Sequence, residues 1–273
     1  MSTLKQSTIK LLRRFYLLPL ADYGRYLLDV KRNWQSNKQF AKENPELRMP
    51  SLSLAYDAYA HTNHSAYWAS GKVHAQFIGS IINQYAAKGP LFICEWGCGS
   101  ARVLRHLPKV VAESSRFYGT DYNPDTVNWC RQNIENIEFE LNKLSPPLPF
   151  ETNSFDCLYC ISVFTHLSSE MHSQWMREIS RVVKPNGLII FTTHGDACSQ
   201  NLTSDEIESY NAGNLVVRGN IKEGKRCYVA YHPTNFVKQE LLNPFEVVSH
   251  LKDNMSHELM QDVWVVRNTK QLF

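Results

Sequence analysis

The chain has 273 residues, with 29 Lys and Arg against 26 Asp and Glu, a formal net charge of +3, 43% apolar and 20% charged residues. That length suits one large α/β domain with an appendage, or two small domains, and the composition excludes wholesale disorder. So small an excess of dispersed positive charge argues against a nucleic-acid partner, which needs dense Lys/Arg patches to neutralise phosphates.

The start, LKQSTIKLLRRFYLLPLADYG, sets basic residues before a short apolar stretch broken by Tyr16 and Pro19. It is too short for a secretory core, so residues 1–20 read as an amphipathic helix that packs on the domain, with peripheral membrane contact as the other reading. Residues 1–88 form a helical extension in this reading. Within it Val73, Phe77 and Ile81 have helical spacing and core character. The aromatic stretch Tyr56 to Trp68 either packs the extension onto the domain or serves as a lid over it. No apolar run is long enough to span a bilayer.

From Leu91 onward short β-type runs alternate with helix-period segments, the pattern of a parallel sheet with crossover helices. LFICE (91–95) is a buried strand followed by a helix from Ala101 to Leu107. RFYGTD (116–121) is a second strand, and Asn123-Pro124 opens a helix to about Asn133. IEFEL (137–141) is a third strand, and the prolines of SPPLPF (145–150) exclude a long helix after it. FDCLYCIS (155–162) is an almost unbroken apolar strand suited to the sheet centre. Met171, Trp175, Ile179, Val182 and Val183 share a helical face, KPNG (184–187) stops that helix, and LIIFTT (188–193) is the fifth strand. A helix near Ser204 to Tyr210, a hairpin inserted near 213–232, a helix at about Asn235 to Leu242, and strands at Phe245–His250 and Gln261–Arg267 complete the pattern. The expected fold is α/β, a doubly wound, mainly parallel seven-stranded sheet over residues 89–273.

The seven cysteines are odd in number and scattered, and Cys94 and Cys98 have no second pair at zinc-ligand spacing. They read as reduced thiols, with no metal and a cytoplasmic location.

ICEWGCGSAR places Glu95, Gly97 and Gly99 at the carboxyl end of the first strand, where open α/β sheets bind ligands. A dinucleotide fingerprint would continue with a third glycine, but Arg102 stands there, which disfavours NAD. Taken alone, the glycines suit a structural turn equally well. Asp121 ends the second strand 22 residues beyond Gly99. A carboxylate there can accept hydrogen bonds from both hydroxyls of a ribose, or it can cap the helix at Asn123.

ICEWGCGSAR, YGTDYNP, PLPFETNSFDCLYCISVFTHL and REISRVVKPNGLIIFTTHG together resemble the successive motifs of class I S-adenosylmethionine-dependent methyltransferases, over about Pro90 to Arg267. The resemblance implies that Glu95, Gly97, Cys98 and Gly99 bind the methionine end and backbone of S-adenosylmethionine, and that Asp121 binds ribose. It implies further that Tyr122 flanks the adenine, with Asn142 or Lys143 reaching its edge, and that Ser162 and Val163 line the methionine side. Cys98 and Ser100 depart from the smaller residues frequent in that loop. Methyl transfer needs the acceptor held at near-attack distance and, for a hydroxyl or amine, a base. His166 and His194, just past the fourth and fifth strands, are the candidate catalytic bases, with His232 a weaker third. The implied acceptor is a small molecule, a sugar-containing metabolite included. The alternatives are a non-catalytic cofactor-binding scaffold and an NAD oxidoreductase.

Overall fold

The computed structural model describes residues 17–219, 221–252 and 259–269. The membrane-contact reading of residues 1–20 falls mostly outside them. Seven strands form a sheet in the order β3-β2-β1-β4-β5-β9-β8, and a separate two-stranded sheet joins β6 and β7. This is the expected doubly wound α/β fold. The chain divides into two compact units, residues 19–142 and the chain from Lys143 onward.

The first unit opens with three helices, α1 (Leu18–Glu43), α2 (Leu52–Tyr59) and α3 (His64–Tyr85). Ser51 and Asn63 cap α2 and α3 by accepting from the backbone N–H of Leu54 and Ala66, which satisfies donors that a helix start leaves open. Ala60 ends α2 in the left-handed region at φ 57°. Next come β1 (Phe92–Trp96), β2 (Arg116–Asp121), α4 (Pro124–Asn133) and β3 (Glu138–Leu141), with β2 parallel to both β1 and β3. Asn123 caps α4 and Pro124 sits in its first turn, where a missing N–H costs nothing. Ile78, Ile82, Ile93, Leu104 and Leu107 are fully or almost fully buried and form the core of this unit.

The helix expected at Ala101–Leu107 is absent. Turns follow Gly99, and a 3-10 helix runs from Leu104 to Lys109 with Pro108 inside it. Ala101 takes φ +54°, which no α-helix admits. α3 lies close against this segment, so that a Cβ on Gly71 would stand 2.1 Å from the Arg102 carbonyl oxygen.

The second unit contains β4 (Phe155–Cys160), α5 (Ser169–Val182), β5 (Val183–Thr193), α6 (Ser204–Asn211), β6 (Val216–Arg218), β7 (Val229–Tyr231), β8 (Phe245–Leu251) and β9 (Asp262–Asn268). β4 and β5 are parallel, whereas β9 is antiparallel to both β5 and β8. Trp175, Ile179 and Val182 of α5 are buried as their spacing predicts. Val183 does not end that helix: it begins β5 and pairs with Phe155, and the ladder slips register before Cys157. β6 and β7 form the antiparallel pair of the inserted hairpin. A helical turn at Thr234–Phe236 continues as one wider π-type turn, Val237–Leu241, in place of a regular helix to Leu242. Among the described residues no helix is long and apolar enough to cross a membrane, and no group of His, Cys, Asp and Glu could hold a metal. All seven cysteines are free thiols.

Candidate functional site

In the first unit the glycine turn is built by β1 and β2 together. The apolar run of β1 ends on Glu95 and Trp96, both buried. The chain then reverses through Gly97 at φ +72° and Gly99 at φ +52°, angles that cost a side-chain-bearing residue but not glycine. The Gly97 and Cys98 N–H groups both donate to the Thr120 carbonyl, at 2.7 and 3.0 Å, which ties the turn to the end of β2.

Asp121 closes the arrangement. Its Oδ2 accepts from the Gly99 N–H and its Oδ1 from the Asn123 N–H, each at 2.9 Å. One carboxylate thereby ties the glycine turn to the approach to α4, whose cap is Asn123 and not Asp121. Burial pushes its pKa up to about 6, with Asp57 adding like charge, against backbone N–H bonds from Asn123, Gly99 and Tyr122 that favour the ion. Each oxygen keeps further lone-pair capacity for a ligand hydroxyl. Asn142 donates its backbone N–H to the Asp121 carbonyl and accepts from the Thr120 hydroxyl through Oδ1 at 2.5 Å. Tyr122 is half-buried with a phenol pushed up to about 12, by burial first and then by Asp57 and Asp121. Cys98 is buried and its thiol pushed well up, so it stays a neutral thiol. Lys143 is exposed.

Sequence reasoning missed α2 here. The field of Asp57 bears on both Asp121 and Tyr122, and a Cβ on Gly99 would come within 2.9 Å of the Ala58 Cβ. The aromatics of the proposed lid stretch touch the segment after the turn. Tyr67 shares a 2.8 Å hydrogen bond with the Ser100 hydroxyl, the Arg102 guanidinium lies 4.5 Å over the Tyr59 ring, and Trp68 packs edge-on against His106.

The second unit holds the remaining candidates. Ser162 takes φ +62°; its N–H donates to the Thr192 hydroxyl and its own hydroxyl accepts from Gln261. Thr192 donates in turn to Gln261 Oε1 at 2.5 Å, closing a three-residue network that sequence reasoning did not foresee. Val163 is half-buried beside it. His166 Nδ1 lies 2.7 Å from the Tyr228 carbonyl and His194 Nδ1 lies 3.1 Å from the Ala230 carbonyl. A carbonyl only accepts, which assigns the proton to Nδ1 in both rings and leaves Nε2 as the proton-accepting nitrogen. Burial pulls His194 down to about 4. His232 is buried, and its Nε2 lies 2.8 Å from the Nε2 of His172, whose Nδ1 is 2.6 Å from the Ser168 carbonyl. The same logic makes His232 the donor in that pair, so it is committed to packing. The second arm of the inserted hairpin thus meets both candidate bases, through the Tyr228 and Ala230 carbonyls.

Residues 94–191 match the family model described as a methyltransferase domain. A demethylmenaquinone methyltransferase of Bacillus mycoides is 31% identical over 97 residues, covering 34% of this chain and 40% of the relative. A tRNA (carboxymethyluridine(34)-5-O)-methyltransferase of Arabidopsis thaliana is 26% identical over 166 residues, covering 60% of this chain and 38% of the relative. The chain thus spans about two fifths of these relatives' length. Among solved structures, an S-adenosylmethionine-dependent methyltransferase from Mesorhizobium loti superposes with TM-score 0.52 at 14% identity, covering 71% of this chain and 97% of the other. The PH0226 protein of Pyrococcus horikoshii also gives 0.52, at 17% identity, over 71% of this chain and 89% of its own. Residues 94–191 are thus similar to a methyltransferase domain, and the sheet around them has the fold of the S-adenosylmethionine-dependent methyltransferases.

Proposed function

We propose that the protein moves a methyl group from S-adenosylmethionine to a small-molecule acceptor. The observation that carries the reading is the buried Asp121 carboxylate, fixed by the Gly99 and Asn123 N–H groups at the lip of a glycine turn. The residues present suit the cofactor. Asp121 offers acceptors for a ribose diol, Gly97, Cys98 and Gly99 present backbone without bulk, and buried Glu95 places a second carboxylate on β1 for the amino group or sulfonium of the methionine end. Tyr122, Asn142 and Lys143 are assigned to the adenine side, and Ser162 and Val163 to the methionine side. When bound, S-adenosylmethionine supplies an activated methyl on a good leaving group, so the chain needs only to orient the acceptor and take its proton.

For that proton we propose His166 Nε2, with His194 Nε2 as the second candidate. A base works best with a pKa near the working pH, and His194, held near 4, is a weak acceptor. The low net charge of +3 supports a small molecule over a nucleic acid.

Calorimetry with S-adenosylhomocysteine tests the cofactor assignment. Wild type should bind, Asp121→Ala should bind at least about tenfold more weakly, and NAD should give no heat, since each lost charge-assisted bond is worth about 1.5–3 kcal/mol. Radiolabelled transfer to a panel of small acceptors then tests catalysis, with His166→Ala lowering turnover more than His194→Ala. Cofactor binding without transfer to any acceptor would leave the scaffold reading, and saturable NAD binding alone would remove the proposal.

A further inference from the structure

We propose that the outer face of α1 docks onto an anionic lipid bilayer. A surface helix normally buries its apolar stripe. α1 and Leu17 just before it leave a second apolar stripe open: Leu17, Leu20, Tyr23, Leu27, Leu28 and Trp34 are 43 to 68% exposed. Leu20, Leu27 and Trp34 recur at seven-residue intervals with Tyr23 three beyond Leu20, which sets them in one stripe along a helix of about 39 Å. The inner side of the same helix mixes half-buried Tyr26, Val30 and Phe40 with polar groups that find partners, and the Tyr26 ring packs edge-on against Tyr56 at 5.1 Å. Asn37 is buried and donates to the Thr62 carbonyl at 2.8 Å.

Charge selects the occupant. Arg25, Lys31, Arg32, Lys38 and Lys42 are all exposed. The two acids between Leu17 and Lys42 are turned to the inner side: Asp22 accepts from the Tyr56 hydroxyl at 3.3 Å, and Asp29 accepts from the Thr62 N–H and hydroxyl at 2.7 and 2.8 Å. From Leu17 to Lys42 the outer face therefore combines apolar bulk with cations and no carboxylate; the exposed acid of the helix, Glu43, is its last residue and accepts from the Gln39 amide. Lys31, Arg32, Trp34 and Gln35 line an open cleft of about 420 Å³, a size and chemistry suited to a phosphate-bearing headgroup.

A second copy on this face would set cation against cation. A nucleic acid would neutralise the lysines but leave Leu20, Leu27 and Leu28 in water. An anionic bilayer meets both demands, because leucines enter the acyl boundary, Trp and Tyr sit at the headgroup level, and Lys and Arg reach the phosphates. What reads in the sequence as dispersed basic residues is gathered by the helix onto one face.

Sedimentation of the full chain with vesicles tests this, using phosphatidylcholine alone and phosphatidylcholine with roughly one-third phosphatidylglycerol. Wild type should bind the anionic vesicles at least about tenfold more tightly than the neutral ones, and lose that preference in high salt. Leu27→Glu/Trp34→Glu and Lys31→Glu/Arg32→Glu should each lose binding about tenfold or more while keeping the wild-type circular dichroism spectrum and S-adenosylhomocysteine affinity. Four results would overturn the proposal: no preference for anionic vesicles, α1 variants that bind as wild type does, RNA binding in place of vesicle binding, or a dimer in light scattering that Leu27→Glu dissolves while vesicles are ignored. The cofactor titration is independent of all four, so failure here leaves the methyltransferase reading intact.

Discussion

Asp121 is asked to be an ion in a place that disfavours ions. Burial outweighs its three backbone donors and raises its pKa to about 6, from 3.8 in water. A carboxylate accepts from both ribose hydroxyls, whereas the protonated acid is a weaker acceptor on one oxygen, so cofactor affinity should track the ionised fraction. S-adenosylhomocysteine should bind about tenfold more weakly at about pH 5 than at about pH 8, and Asp121→Ala should be flat over that range. A wild-type titration as flat as that of the variant would show that Asp121 does not meet the ligand. The position of Asp121 is legible in sequence because a strand end is a local pattern. Its environment is not, since Asp57 is 64 positions away and carries no signature beyond standing in an aromatic-rich stretch.

Among elements, the strands from β1 onward and helices α4 to α6 follow from apolar runs, caps and prolines, all of which act over a few residues. The failures share a cause. The segment after Gly99 has helix-compatible residues, yet its backbone is set by Tyr67 bonding Ser100 and by α3 pressing on Arg102, contacts from more than thirty residues upstream. Val183 likewise looks like the last turn of α5 but is taken by Phe155 across the sheet. The close approach of α3 gives a direct test. Gly71→Ala places a methyl 2.1 Å from a carbonyl oxygen that belongs to backbone and cannot swing away. The steric cost should exceed the roughly 1 kcal/mol that alanine gains in helix propensity, for a net loss of about 2 kcal/mol in urea unfolding. Ala69→Gly, at an exposed interior position of the same helix, measures propensity alone and should cost about 1 kcal/mol.

Over the whole chain, buried imidazoles govern the response to acid. His106, His172 and His194 are each depressed to about 4, by burial first, from 6.5 when unfolded. A depressed histidine binds its proton more readily unfolded, so its contribution is present above about 6.5 and is lost as pH falls toward the folded value. Asp121 has the opposite sign, since a raised carboxyl favours the folded state as pH falls below about 6. Between about pH 7 and pH 5 each imidazole withdraws about 2 kcal/mol while Asp121 returns about 1, so the net effect is destabilising. Thermal melts should fall steadily over that interval, and His172→Phe should flatten the slope if the mutant folds. A melting temperature that rises toward pH 5 would contradict these burials.

Gly99 and Ala58 leave no room for each other to change. Gly99 stands at φ +52° with its missing side chain aimed at the Ala58 methyl, 2.9 Å from where its own would be. Any side chain larger than alanine at 58 meets the same wall from the other side. Two short stretches forty-one positions apart are thus inherited as one part, and a gene cut at codon 89 to isolate the sheet would sever that part in the middle.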